Sequence, residues 1–105
     1  MSDADNEAFE RHQLRQLRGT LLRLAQRFYG QDVEINMDRF AYVAGPSWKR
    51  PQVEEEVTFL VQCNYLSRHI KPRDALDKNP PVSYALTAQG KRLLNGELQD
   101  VSIEL

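Results

Sequence analysis

The sequence predicts one mostly helical α+β domain: three helices, a small β-hairpin and a short closing helix. Three observations carry that expectation. Between about residues 7 and 29, Leu14, Leu17, Leu21, Leu24, Ala25 and Phe28 recur at helical spacing and make one apolar stripe. Gly45-Pro46 and Pro51 punctuate the middle of the chain, where one helix must stop and another begin. The stretch 62–94, QCNYLSRHIKPRDALDKNPPVSYALTAQGKRLL, then passes from helix to strand, through a long polar turn to a second strand, and into a helix opened by Thr87.

At 105 residues, with 41% hydrophobic and 28% charged side chains, the chain has the size and composition of one globular domain with a modest core. Its organisation reads as an acidic tail over 1–9, a domain over 10–96 and a second tail over 97–105. Apolar runs are too short to span a bilayer, and the acidic start is unlike a secretory signal, so a cytoplasmic location without membrane contact is expected. Cys63 is the single cysteine, which excludes an intrachain disulfide and a thiolate zinc cluster. Net charge is −1, but it is segregated. Arg11, Arg15, Arg18, Arg23 and Arg27 fall in an acid-free block, and Arg68, Lys71, Arg73, Lys78, Lys91 and Arg92 in a second block that holds only Asp74 and Asp77 against them.

The elements follow in order. Gly30 is placed to end the first helix as a C-cap glycine. Arg11, Arg15 and Arg18 line one flank of its stripe, a solvated face on the plain reading and a phosphate or partner contact on the sharper one. Leu22 lies off the stripe and suggests a second buried surface such as a dimer contact. Val33-Glu34-Ile35 alternates like a very short edge strand, and Asn36 is a cap for a second helix containing Phe40, Ala41, Val43 and Ala44. Pro51 suits the first turn of a third helix whose inward stripe is Val53, Val57, Leu60, Val61 and Asn64. On that helix Glu54, Glu55 and Glu56 read as a solvated acidic face, and a helical wheel turns Phe59 outward.

Strands are expected over 65–71 and 82–86, joined by the polar segment 72–81, which exceeds the usual two to five residues of a hairpin loop. Thr87 caps a two-turn helix to Leu94, in which Gly90 sacrifices propensity and allows close packing, and Asn95-Gly96 ends it. The alternating end Val101-Ser102-Ile103-Glu104-Leu105 reads as a disordered terminus or an edge strand donated to a neighbour.

That layout, closing on Tyr84-Ala85-Leu86-Thr87-Ala88-Gln89-Gly90-Lys91-Arg92-Leu93-Leu94, resembles the winged-helix superfamily and, in its ending, small bacterial regulators of the MarR and PadR kind and comparable phage regulators. The likeness covers about residues 10–96 in layout and 82–94 in motif. It implies a winged helix-turn-helix that binds double-stranded DNA as a dimeric transcription regulator, with the third helix in the major groove and the hairpin as a wing on the backbone. Carried over by position, Gln52, Glu55, Thr58, Phe59 and Gln62 would face the groove, with Gln52 suited to adenine and Glu55 to a cytosine amino group. Lys49 and Arg50 would meet phosphate at the helix start, and Arg68, His69, Lys71, Arg73 and Lys78 would do so from the wing. The third helix departs from this pattern, carrying three glutamates and no base between Pro51 and Asn64. The alternative is therefore a winged helix used as a protein-interaction module, with Glu55 and Phe59 toward a partner.

Little in the sequence suggests catalysis. No nucleotide-cradling glycine loop, Ser-His-Asp set or zinc spacing is present, so no catalytic residue, cofactor or metal is expected. His12 and His69 read as surface residues, Cys63 as a buried inert thiol, and Trp48 as a core or hinge aromatic.

Overall fold

Helix α1 spans Asp3–Gln26 in the computed structural model, which describes residues 3–31 and 33–105. It starts earlier than the apolar stripe does, because the polar stretch before Glu10 continues the helix as an extension whose residues 6–11 are all exposed. Residues 1 and 2 of the expected acidic tail lie outside the described residues. The helix also ends sooner. Arg27, Phe28 and Tyr29 donate to carbonyls three residues back, tightening the last turn before Gly30 takes a left-handed φ of 79°.

Helix α2, Met37–Ala44, begins where the Asn36 side chain accepts from the Arg39 amide and stops at Gly45, whose φ is 88°. Helix α3, Arg50–Gln62, has Lys49 at its cap and Pro51 in its first turn. It runs out two residues before the expected end, and Asn64 turns the chain with a φ of 63°. Strands β1 (Leu66–Ile70) and β2 (Val82–Leu86) pair antiparallel, in register from Leu66 opposite Leu86 to Ile70 opposite Val82. The anticipated edge strand at 33–35 is reduced to a single bridge between Ile35 and Tyr84. Helix α4, Ala88–Leu94, is capped by the Thr87 hydroxyl. Among the described residues the result is an α+β fold of four helices and one two-stranded antiparallel hairpin.

One core joins these elements. Leu17, Leu21, Leu24 and Ala25 of α1 meet Phe40 of α2, Val53, Val57 and Leu60 of α3, and Leu66, Tyr84 and Leu86 of the hairpin. Tyr84 also sets its ring edge-to-face on Phe40, with centroids 5.8 Å apart. Leu22 is 0% exposed and belongs to the same core, so it marks no separate dimer surface. Gly90 is buried against the residue just before β1, where an added Cβ would run into the Tyr65 carbonyl.

The C-terminal segment is neither a disordered end nor a strand offered to a neighbour. It folds back over α1: the Glu104 amide donates to the Arg15 carbonyl at 3.0 Å, and Ile103 is buried in the core. Gly19 makes the crossing possible, since a Cβ there would collide with the Glu104 backbone. Farther back, the Tyr65 hydroxyl donates to Asp100 Oδ2 at 2.7 Å, and Asp100 accepts from the Ser102 amide and hydroxyl.

Candidate nucleic-acid interface

The outer face of α3 and the hairpin converge on one open groove of about 500 Å³. Glu54, Thr58, Val61 and Gln62 form its helical wall, and Arg68 and Val82 the hairpin wall. Two sequence-nominated residues, Gln62 and Arg68, therefore share one concave surface with a third, Thr58. The other candidates lie around it. Lys49 and Arg50 stand at the α3 start, and Lys71, Arg73 and Lys78 lie at and beyond the end of β1.

Their freedom to meet a ligand differs. Arg50 is held by Asp38 at 2.5 Å and Glu54 at 3.3 Å, and the Asp38 hydrogen bond pushes its pKa upward. Arg73 grips both oxygens of Asp77, whose carboxyl is thereby held below its ordinary range. Lys71 lies 3.1 Å from Glu34. Among the described residues, Lys49, Arg68 and Lys78 have no carboxylate partner, and all three are exposed.

Two residues expected to face the groove have local duties instead. Gln52 Oε1 accepts from the Lys49 amide at 2.9 Å, completing the α3 cap, and the Thr58 hydroxyl donates to the Glu54 carbonyl at 2.9 Å. Among the described residues Gln62 has no such bond, which leaves it as the α3 side-chain amide available to the groove.

The acidic face of α3 is also smaller than the sequence suggested. Glu56 is 7% exposed and points into the body, where Arg18 donates to both its oxygens at 3.2 and 3.4 Å. Arg18 in turn donates to the Ser102 carbonyl at 2.9 Å and lies over the Phe59 ring, 4.0 Å from its centroid. Three expectations change together. Arg18 is not on a solvated flank, Glu56 is not on a solvated face, and Phe59 is half-buried against the core rather than outward. A helical wheel records direction around one axis. It has no information about α1 and the C-terminal segment closing over that side of α3.

The opposite side of the hairpin carries a polar network absent from the sequence reading. Glu34 accepts from the Ser83 hydroxyl and pairs with Lys71; these two, the hydroxyl first, hold its carboxyl below the ordinary range. Ser67 Oγ and His69 Nε2 lie 2.8 Å apart, while His69 Nδ1 is 3.8 Å from Glu34. Serine, histidine and carboxylate occur in relay order, but 3.8 Å is too long for the histidine–carboxylate hydrogen bond that orients such a base. Strand alternation is the signal that puts Ser67 and His69 on one face; that Glu34 joins them is a tertiary result.

Cys63 is partly covered, and burial raises its thiol pKa, consistent with an unreactive side chain. Trp48 packs partly buried against the core. His69 is exposed, and His12 forms a surface contact with Glu104 at 3.0 Å. Among the described residues, no cluster of three or more His, Cys, Asp or Glu could hold a metal ion, and no helix is long and apolar enough to cross a membrane. Comparison with family models, curated proteins and solved structures finds nothing that matches this chain.

Proposed function

We propose that this chain is a winged-helix DNA-binding module of a small, dimeric regulator, with α3 as the groove-facing helix and the β1–β2 hairpin as its wing. The observation that carries the reading is the shared groove, which Gln62 of α3 and the uncommitted Arg68 of the hairpin both line. The main objection has also weakened. Glu56 is withdrawn by Arg18 and Glu54 is paired with Arg50, leaving Glu55 as the α3 carboxylate without a cation among the described residues. Phosphate neutralisation supplies most of the affinity of such complexes. The unpaired Lys49, Arg68 and Lys78 then contribute more than Arg50, Lys71 and Arg73, which must exchange a carboxylate for a phosphate.

A gel shift with mixed-sequence duplex DNA at low salt tests this. Binding is expected at micromolar protein, and its absence there would overturn the reading. Arg68→Ala and Lys78→Ala should each weaken binding across all sequences and lower the salt slope by about one. Arg73→Ala should do so less, because Asp77 already neutralises that guanidinium.

A second reading has its own support: the same fold used as a protein-interaction module. Half of the six candidate phosphate cations are paired within the chain, and Leu76 in the 71–81 loop is 87% exposed. Glu55 would remain part of that surface, but half-buried Phe59 would not anchor it. Absence of a DNA shift, together with a partner lost on Leu76→Ser, is the outcome this reading requires.

A further inference from the structure

We propose that Arg11 and Arg15 of α1 form a binding site for a small phosphate-type oxyanion, roofed by the C-terminal segment. The two arginines line a groove of about 320 Å³ together with Leu14, Arg18, Val101 and Ser102. It shares no residue with the groove between α3 and the hairpin, so the proposal is independent of the DNA-binding reading.

Two observations converge on an anion. First, Arg15 Nε is fully buried and has no hydrogen-bond partner among the described residues. An N–H on a cation taken from water without an acceptor is costly, and because the Arg15 side chain lines the groove, a guanidinium that turns toward it gives that N–H a charged oxygen. Second, Arg11 and Arg15 stand one helical turn apart, and neither has a carboxylate partner among the described residues. Like charges at that spacing repel, and an oxyanion bridging them reverses the sign of the interaction. Planar guanidinium groups suit phosphoryl oxygens because they can donate two parallel hydrogen bonds.

The surrounding groups are already committed. Arg18 is anchored by three hydrogen bonds to Glu56 and the Ser102 carbonyl, so it adds positive potential while staying in place. The nearby carboxylates are engaged as well: Asp100 accepts from Tyr65 and Ser102, and Glu104 pairs with His12. The Ser102 hydroxyl is spent on Asp100, which leaves Arg11 and Arg15 as the donors. The roof matters too. The Glu104 amide bonded to the Arg15 carbonyl fixes the C-terminal segment beside this turn of α1.

The test is an NMR titration of the full chain with sodium pyrophosphate, at ionic strength held constant with chloride. Saturable shifts are expected at Arg15 Nε–H and at the Val101 and Ser102 amides, with none from chloride alone. Arg15→Gln should weaken binding about tenfold or more, as loss of a charge-assisted hydrogen bond implies, and Arg11→Gln several-fold. If Arg15→Gln fails to fold, Arg15→Lys, which keeps the charge and loses the planar fork, should still show clearly weaker binding. Linear, unsaturating shifts, or equal affinity in Arg15→Lys, would overturn the proposal. So would the combination of no pyrophosphate site and a large loss of duplex-DNA affinity in the Arg11→Gln, Arg15→Gln double variant, which would assign these arginines to a nucleic-acid backbone instead.

Discussion

Arg18 shows how much one side chain can decide. Its guanidinium joins Glu56 of α3, the Ser102 carbonyl of the C-terminal segment and the face of Phe59. Both partners of the ion pair are largely buried, at 17% and 9% side-chain exposure. Removing one partner of such a pair strands the other charge, which typically costs about 3–5 kcal/mol when burial is complete. Some solvent access remains, so Arg18→Ala is expected to destabilise by about 2–4 kcal/mol in urea unfolding. Arg18→Lys should recover little of this, since an ammonium cannot span both Glu56 oxygens while stacking on Phe59. Full recovery by lysine would refute the bidentate geometry. None of this was legible in the sequence, where Arg18 simply continued an arginine flank and Glu56 ended a glutamate run.

Among the elements, the C-terminal segment departs most from expectation, and its attachment is testable in two ways. Gly19 lets the Glu104 backbone lie against α1, so Gly19→Ala should displace the segment while α1 itself gains helix propensity of about 1 kcal/mol. Amide exchange should then quicken at Ile103 and Glu104 while protection in α3 persists; unchanged protection at both residues would refute the close crossing. The second test is pH. Burial pushes the Asp100 pKa up, but hydrogen bonds from Ser102 and Tyr65 and the nearby Arg18 charge more than offset it, leaving it below the ordinary 3.8. A depressed acid stabilises the fold above its unfolded value and loses that contribution as pH falls through the folded one. Tyr65 is raised from 10 to about 12, by burial first and by its bond to Asp100 second. Its contribution is complete below pH 10 and fades as pH rises toward 12. Stability from this pair should therefore be flat between roughly pH 5 and 9 and decline on both sides. Replacing Tyr65 by Phe should remove the alkaline limb of the chemical-denaturation profile.

The whole molecule measures 53 × 32 × 21 Å, elongated yet built around one continuous core. Ile103 enters that core from a segment outside every helix and strand, so the chain end should unfold with the rest rather than before it. Ile103→Ala is expected to cost about 2–4 kcal/mol and lower the thermal midpoint by roughly 10 °C or more, in a single calorimetric transition. A separate early transition would instead make the segment an appendage.

What the sequence determined by itself is the order and type of the elements, because caps, turns and periodic stripes are local effects. Asn36 and Thr87 cap the helices that follow them, Gly45 stops one, and β2 spans the residues that its apolar pattern marked. Six candidate cations and the amide of Gln62 were also legible as exposed polar chemistry around α3 and the hairpin. Only the tertiary structure decided which of these groups are available. It paired Arg50, Lys71 and Arg73 with Asp38, Glu34 and Asp77, buried Glu56, turned Phe59 beneath Arg18, and brought Arg68 and Gln62 to the lining of one groove. The physical reason is range. Helix caps and turns close over three or four residues, whereas the Arg18–Glu56 pair spans 38 positions and the Arg18–Ser102 bond 84, separations that no local pattern encodes.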